Sequence, residues 1–251
     1  EIKSIKFDNV CFTYPNTTKE ILSNVSFEIK ANEKISIVGL NGAGKTTIIK
    51  LLCRLYHPNS GQILINNIPI SEYKYNLYIK QISAIFQDYK LFAATVAQNV
   101  KNDIYDEKAD KENVLSALQS ADFTERLEIL KNGIDTHLTR EFNDEGINLS
   151  GGDAQKVAIA RVFAKDFPIV IMDEPSSALD PMAEYNLNLS ILNNTKDKTV
   201  IFISHRLSTT RIADKTAFFL LGELVEFGNT DDIFTSPKDE RTERYITGRF
   251  G

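Results

Sequence analysis

Eight consecutive residues, Gly39-Leu40-Asn41-Gly42-Ala43-Gly44-Lys45-Thr46, constrain this chain more than any other stretch. A short apolar run, Lys34–Val38 (KISIV), leads into them, and a helical pattern, Lys45–Leu55 (KTTIIKLLCRL), leads out. A strand, a glycine-rich turn and a helix in succession leave the helix's first N–H groups without intrahelical partners and its positive dipole end facing the turn. The glycines permit φ > 0, so successive amides can converge on an anion. Lys45 is then placed to put its ammonium on the β- and γ-phosphates of a nucleotide, and the Thr46 hydroxyl to ligate Mg²⁺. The run fits the P-loop pattern G-x-x-x-x-G-K-[ST] in the context that pattern requires.

Such a site needs a second half, a buried strand that ends in acid. Phe167–Pro175 (FPIVIMDEP) supplies it. Neighbouring strand residues point to opposite faces, so Asp173 and Glu174 cannot both reach one ion from an ideal strand. The strand is expected to end there, with Pro175 pushing Glu174 into an extended conformation. Asp173 is then assigned to the Mg²⁺ shell. Glu174 is assigned to the γ-phosphate side, where it accepts a proton from an attacking water.

The rest of the chain reads as alternating strands and helices. Ile5–Phe12 and Val25–Ile29 alternate apolar and polar residues, and Gln62–Ile65 with Ile68–Ile70 reads as a hairpin about Asn66-Asn67. Pro58-Asn59-Ser60-Gly61 reads as a turn, and Ser83–Phe86 as a strand ending at Gln87. Lys111–Ser120, Phe123–Leu130 and residues 153–166 carry helical patterns. Phe167–Met172 and Thr199–Ser204 are unbroken apolar runs of the kind found in buried parallel strands, and Ala217–Leu221 with Glu223–Phe227 suggests a closing hairpin about Gly222. No apolar run reaches the roughly 18 residues of a membrane span. With 34 acidic against 29 basic residues the net charge is −5, which argues against a nucleic-acid partner. Cys11 and Cys53 have no metal-ligand spacing and read as buried reduced thiols, in keeping with a reducing compartment. His57 and His137 lack partners at catalytic spacing.

A second anion-binding turn lies far downstream. Leu149–Lys156 (LSGGDAQK) reads as a helix opening with a serine cap and two glycines. Together with the motifs above, in this order along the chain, it makes the sequence resemble the nucleotide-binding domain of an ATP-binding cassette (ABC) transporter nearly end to end. The resemblance matches Tyr14 to the aromatic that stacks on adenine and Gly39–Thr46 to the Walker A loop, with Thr47 continuing the nucleotide contacts. Gln87 matches the glutamine that senses Mg²⁺ and γ-phosphate, and Ser150, Gly151 and Gly152 match the signature turn. Asp173 and Glu174 match Walker B and the catalytic glutamate, Asp180 the D-loop, and His205 the switch histidine. It implies catalytic roles for Lys45, Gln87, Glu174 and His205, and a Mg²⁺ site formed by Thr46, Gln87 and Asp173. It also implies a fold: α/β, a P-loop triphosphatase core (about 1–87 and 154–251) with a parallel central sheet and an N-terminal antiparallel β subdomain, plus an inserted helical subdomain at about 88–153.

The resemblance explains why one domain carries two anion sites. Two such domains pair head to tail, and each ATP lies between the P-loop of one and the signature turn of the other. The reading that follows is Mg²⁺-dependent ATP hydrolysis at the cytoplasmic face of the cell membrane, powering export through transmembrane domains. Because the sequence opens at Glu1 and not at methionine, those domains are expected to be fused upstream. Thr95–Val100 and the acidic stretch Glu141–Gly146 resemble exporter-type segments, and Tyr89, Leu91 and Phe92 are candidates for a groove that receives a coupling helix. The alternatives are a nucleic-acid or ribosome ATPase, an importer subunit, or a module that clamps nucleotide without turnover. One residue departs from the family pattern: Asp153 stands where glutamine is usual. An acid in a helix's first turn suits the dipole, and its side chain is expected to turn aside from the partner's triphosphate.

Overall fold

The computed structural model describes residues 2–141 and 143–249. In chain order the elements are β1 (Ser4–Thr13), β2 (Glu20–Lys30), β3 (Lys34–Gly39), α1 (Lys45–Leu52), β4 (Ser60–Ile65), β5 (Ile68–Pro69), α2 (Tyr75–Tyr78) and β6 (Ile82–Ile85). Then come α3 (Val96–Lys101), α4 (Glu107–Ser120), α5 (Thr124–Ile129), α6 (Gly151–Phe163), β7 (Ile169–Asp173) and α7 (Pro181–Asn194). The chain closes with β8 (Thr199–Ile203), α8 (Leu207–Thr210), β9 (Lys215–Leu220), β10 (Glu223–Asn229), α9 (Thr230–Thr235) and α10 (Glu240–Ile246). Two compact units result. The first comprises residues 1–83, Pro168–Asp173 and 197–251; the second comprises Ala84–Phe167 and Glu174–Lys196. The second unit is larger than an insertion of about 88–153, because it also holds α6 and α7.

In the first unit the apolar runs become the centre of a sheet. β7 and β8 are buried at every position, and β3 at all but its first. Strands covered on both faces need apolar residues throughout, so they do not alternate. β8 lies between β3 and β7, and β9 lies on the other side of β3; all these pairings are parallel. β10 closes that edge antiparallel to β9. A separate antiparallel sheet, in the order β2-β1-β4-β5, alternates buried residues with half-buried or exposed ones along β1 and β2. The two sheets meet through rings: Phe27 lies 6.3 Å from Phe219 and 5.6 Å from Phe227.

In the second unit α3, α4 and α6 pack together around Asn99 and Arg161. Thr95 caps α3 in a reciprocal box with Gln98. Asn99 is fully buried, and its amide bonds the Phe92 N–H and the Phe92 and Thr95 carbonyls. Arg161 reaches from α6 to the Asn99 carbonyl (2.8 Å) and side-chain oxygen (3.0 Å), with its guanidinium over the Phe92 ring. The exporter-like segment Thr95–Val100 is thus a polar clamp inside this unit. Of the acidic stretch Glu141–Gly146, Phe142 lies outside the described residues; Asn143 turns the remainder by bonding the Glu145 and Gly146 N–H groups.

Several expectations need correction. α1 stops at Leu52 because Arg54 takes φ +55°, outside helical space. β4 starts at Ser60, inside the expected turn, where Gly61 at φ +73° sits beside a register irregularity of β1. α6 starts at Gly151, two residues early, so both signature glycines are helical, and it ends at Phe163. Cys11 is only half-buried; its sulfur accepts from the Asn24 N–H. Cys53 is buried, and burial pushes its thiol up to about 12, which makes it inert. The Asn66-Asn67 turn is as expected, with both residues at positive φ. Among the described residues no helix is long and apolar enough to cross a membrane.

Gly39 ends β3 at φ +147°, and a Cβ there would lie 2.1 Å from the Phe219 carbonyl oxygen of the adjacent strand. Gly39→Ala therefore forces β3 from β9. It should lower unfolding stability by on the order of 3 kcal/mol, read as a shift in denaturant midpoint. Gly133→Ala, where no atom lies within 4 Å of the added carbon, should cost clearly less.

Candidate active site

The site in the first unit is built at the carboxyl ends of parallel strands, where α/β sheets place their ligands. Register aligns the parts. Ile203 of β8 pairs with Ile37 of β3 on one side and with Asp173 of β7 on the other. Two residues beyond these positions, β3 opens into the Gly39–Thr46 loop and β8 reaches His205. The loop turns through Gly42 (φ +78°) and Gly44 (φ +98°), and Gly44 caps α1. Lys45 is buried, and its ammonium donates to the Gly39 and Leu40 carbonyls at 2.9 and 3.0 Å. The charge is therefore held inside the loop's own curve. Thr46 Oγ1 donates to Asp173 Oδ2 at 3.0 Å, tying the helix start to the acid-tipped strand.

Hydroxyl and carboxylate oxygens at this spacing are the hard ligands Mg²⁺ takes. Among the described residues no group of three or more His, Cys, Asp or Glu gathers as a metal site. One carboxylate and one hydroxyl suit an ion whose other ligands are phosphate and water. Tyr14 stands beside the loop. Its hydroxyl is 3.1 Å from Thr47 Oγ1, and its ring meets Phe12 and Tyr56 edge-on at 4.9 and 5.1 Å. The aromatic assigned to adenine is thereby fixed to the loop through Thr47, with Lys50 Nζ 5.7 Å from its centroid.

The second unit holds the other residues singled out from sequence. Glu174 opens its second segment and is not extended: φ is +52°, the left-handed region that non-glycine residues avoid. The chain must reverse at once after β7, and the Ser177 N–H closes the turn on the Glu174 carbonyl at 3.2 Å. Asp180 caps α7 by accepting from the Met182 and Ala183 N–H groups (2.9 and 3.0 Å), with Pro181 at the first helical position. Those backbone bonds hold its carboxyl below the usual carboxylate range. Gln87 lies on a cleft of about 630 Å³ also lined by Tyr89, Leu91, Leu149 and Ser177. Tyr89 is pulled toward the signature turn by donating to the Gly151 carbonyl at 3.2 Å. Phe92 is 54% exposed and does not line the cleft.

Ser150 caps α6, with Oγ accepting from the Asp153 N–H at 3.1 Å. Its hydroxyl proton goes to Asp153 Oδ2 at 2.8 Å, and the same carboxylate oxygen lies 3.5 Å from Arg126 Nε on α5. The Asp153 side chain is thus turned back on its own helix and countered by a cation. Arg126 had no signal in the sequence, because its role depends on a fold contact 27 residues away along the chain. Tyr245 was missed for the same reason; its hydroxyl bonds the Gly39 backbone from the far end of the chain, while its ring stacks on Phe218 at 4.8 Å.

Parallel strands delivering a glycine-rich anion loop, with the loop's threonine bonded to a strand-end aspartate, define the P-loop nucleotide-binding class. Residues 22–177 match the family model described as ABC transporter, and the chain belongs to that family as an ATP-binding domain. It is 38% identical over 251 residues to the subtilin transport ATP-binding protein SpaT of Bacillus subtilis, covering 98% of this chain and 40% of that protein. It is 37% identical over 229 residues to an ATP-dependent lipid A-core flippase of Haemophilus ducreyi, covering 91% and 38%. Among solved structures, that of a bacterial Atm1-family ABC exporter with ATP bound superposes with a TM-score of 0.88 at 33% identity. The match covers 100% of this chain and 42% of that one. The chain thus spans about two fifths of the length of the relatives it matches.

With its carboxylate already engaged, Asp153 should matter little to nucleotide binding. Asp153→Gln should change ATP turnover by no more than about fivefold, the range of a first-turn charge at a helix end. A larger rise in a phosphate-release assay would mean that the carboxylate repels a partner's triphosphate.

Proposed function

We propose that this domain hydrolyses Mg²⁺-ATP as a head-to-tail pair and drives export of a substrate across a membrane. The observation that carries the reading is the Thr46–Asp173 bond at 3.0 Å beneath the glycine loop. It joins a hydroxyl and a carboxylate next to the loop that holds the Lys45 ammonium, which supports a metal and phosphate site there. The names of the relatives support the export half: a subtilin transport protein, a β-(1→2)glucan export ATP-binding/permease protein and a lipid A-core flippase. The fused ATP-binding/permease proteins among them favour membrane-spanning domains on the same polypeptide, with this domain at the cytoplasmic face.

In this reading the loop amides and Lys45 bind the β- and γ-phosphates and take up the charge that grows in the transition state. Thr46 and Asp173 hold Mg²⁺, which when bound neutralises phosphate charge, and Gln87 is proposed as a further contact to it. Glu174 receives a proton from the attacking water, whose oxygen bonds to the γ-phosphorus as the bond to the bridging oxygen breaks. ADP and phosphate are released. His205 orients the water and γ-phosphate, and Tyr14 stacks on the base. The partner's Ser150, Gly151 and Gly152 close over the γ-phosphate, and Asp180 holds the turn beside them. Once that phosphate is lost, the helix-end contacts have no anion to bind and the pair opens.

Glu174→Gln keeps the side chain's size and removes its basicity. It should lower kcat by about 10²- to 10⁴-fold while the dissociation constant for ATP stays within about threefold. Phosphate release and equilibrium nucleotide binding on the same preparation check this. A variant retaining a tenth of wild-type turnover would move the base elsewhere.

A further inference from the structure

Gln155 is a polar side chain that the mechanism above leaves unused, yet it is only 2% exposed. A primary amide buried this deeply must find partners. It finds three, all on the turn that carries Glu174. Nε2 donates to the Glu174 carbonyl and to Ser177 Oγ, each at 3.2 Å. Oε1 accepts from the Ala178 N–H at 3.0 Å. One side chain therefore fastens both ends of the Glu174–Ala178 segment to α6. The Glu174 φ of +52° gives that fastening a purpose, because a strained residue keeps its conformation only when its surroundings over-determine it.

The attachment point matters as much as the target. Gln155 stands one turn into α6, the helix capped by Ser150. Packing supports the same link. A Cβ on Gly152 would lie 3.3 Å from the Ala178 carbonyl oxygen and 3.6 Å from Leu179 Cδ2. The signature turn and the segment after Glu174 are therefore in direct contact, with little room for one to shift alone. Glycine at 152 allows this approach.

We infer that Gln155 is a positioning residue that ties the signature turn of a chain to the Glu174 turn of the same chain. The inference rests on the head-to-tail reading. In such a pair the signature turn touches one ATP while Glu174 of the same chain serves the other. Engagement of α6 by the first nucleotide then sets the Glu174 carbonyl and the Ser177–Ala178 backbone at the second site. Gln155 is a direct hydrogen-bonded link between them and makes turnover cooperative in ATP.

The test compares wild type with Gln155→Met, which keeps length without the bonds, and Gln155→Glu, which keeps the acceptor for Ala178 and loses both donors. The readouts are kcat, the Hill coefficient for ATP, equilibrium ATP binding and thermal midpoint. Expected for Gln155→Met is a fall in kcat of about 10- to 100-fold, as for a misplaced catalytic group, with ATP affinity within about twofold. Its Hill coefficient should drop from near the two-site limit of about 2 toward about 1. Gln155→Glu should lie between; if the Met variant does not fold, the Glu variant decides by the same criteria. Unchanged kcat and Hill coefficient in a folded variant would overturn the inference. So would a wild-type Hill coefficient of 1, or kcat and ATP affinity falling together with the thermal midpoint, which marks loss of packing alone. Full activity of Glu174→Gln in the same assay would instead sink the assignment of the base and leave the Gln155 data to stand or fall separately.

Discussion

The Thr46–Asp173 hydrogen bond is the join on which the catalytic half of the molecule depends. Thr46 follows a glycine loop hung from β3, and Asp173 is the last residue of β7. β8 lies between them, so the two groups meet only because three parallel strands end in register. Parallel pairing needs strands covered on both faces, and the unbroken burial of β7 and β8 meets that need. The acid and hydroxyl proposed to face the phosphate are thereby held at the ends of buried strands. A metal-binding pair carried on loops alone would lack that support.

The second unit works on a different physical basis. Its polar side chains satisfy backbone groups and leave few choices of conformation. Asn99 closes the turn before α3 and receives Arg161. Asp180 and Ser150 cap the helices next to the proposed nucleotide contacts. Asp153 shows how local chemistry decides the meaning of a charge. On sequence alone an acid in the helix's first turn suits the dipole, and its side chain is expected to turn aside. In place it accepts a hydrogen bond from the Ser150 hydroxyl and lies within ion-pair distance of Arg126.

Much of this was legible from residue order. The P-loop and the two buried strands carry patterns set by local geometry and by burial. The acid pair at the strand end and the serine-capped helix do so as well. Reading failed where a long-range demand overrode a local rule. Pro175 disfavours a helical Glu174, yet the expected extended backbone gave way to φ +52° because the chain must turn back immediately after β7. Helix ends also moved. Gly151 and Gly152 joined α6 once Ser150 capped it, and α1 ended early at Leu52.

By itself the sequence determined the chemistry available: which residues are suited to phosphate, which carboxylates stand together, and which runs must be buried. These follow from side-chain type and spacing, properties that need no partner distant in the chain. The tertiary structure decided which of those groups touch. It gave Thr46 to Asp173, Tyr14 to Thr47, Arg126 to Asp153 and Gln155 to the Glu174 turn. Such pairings depend on strand order and helix packing summed over the whole fold, and no short stretch of residues encodes them.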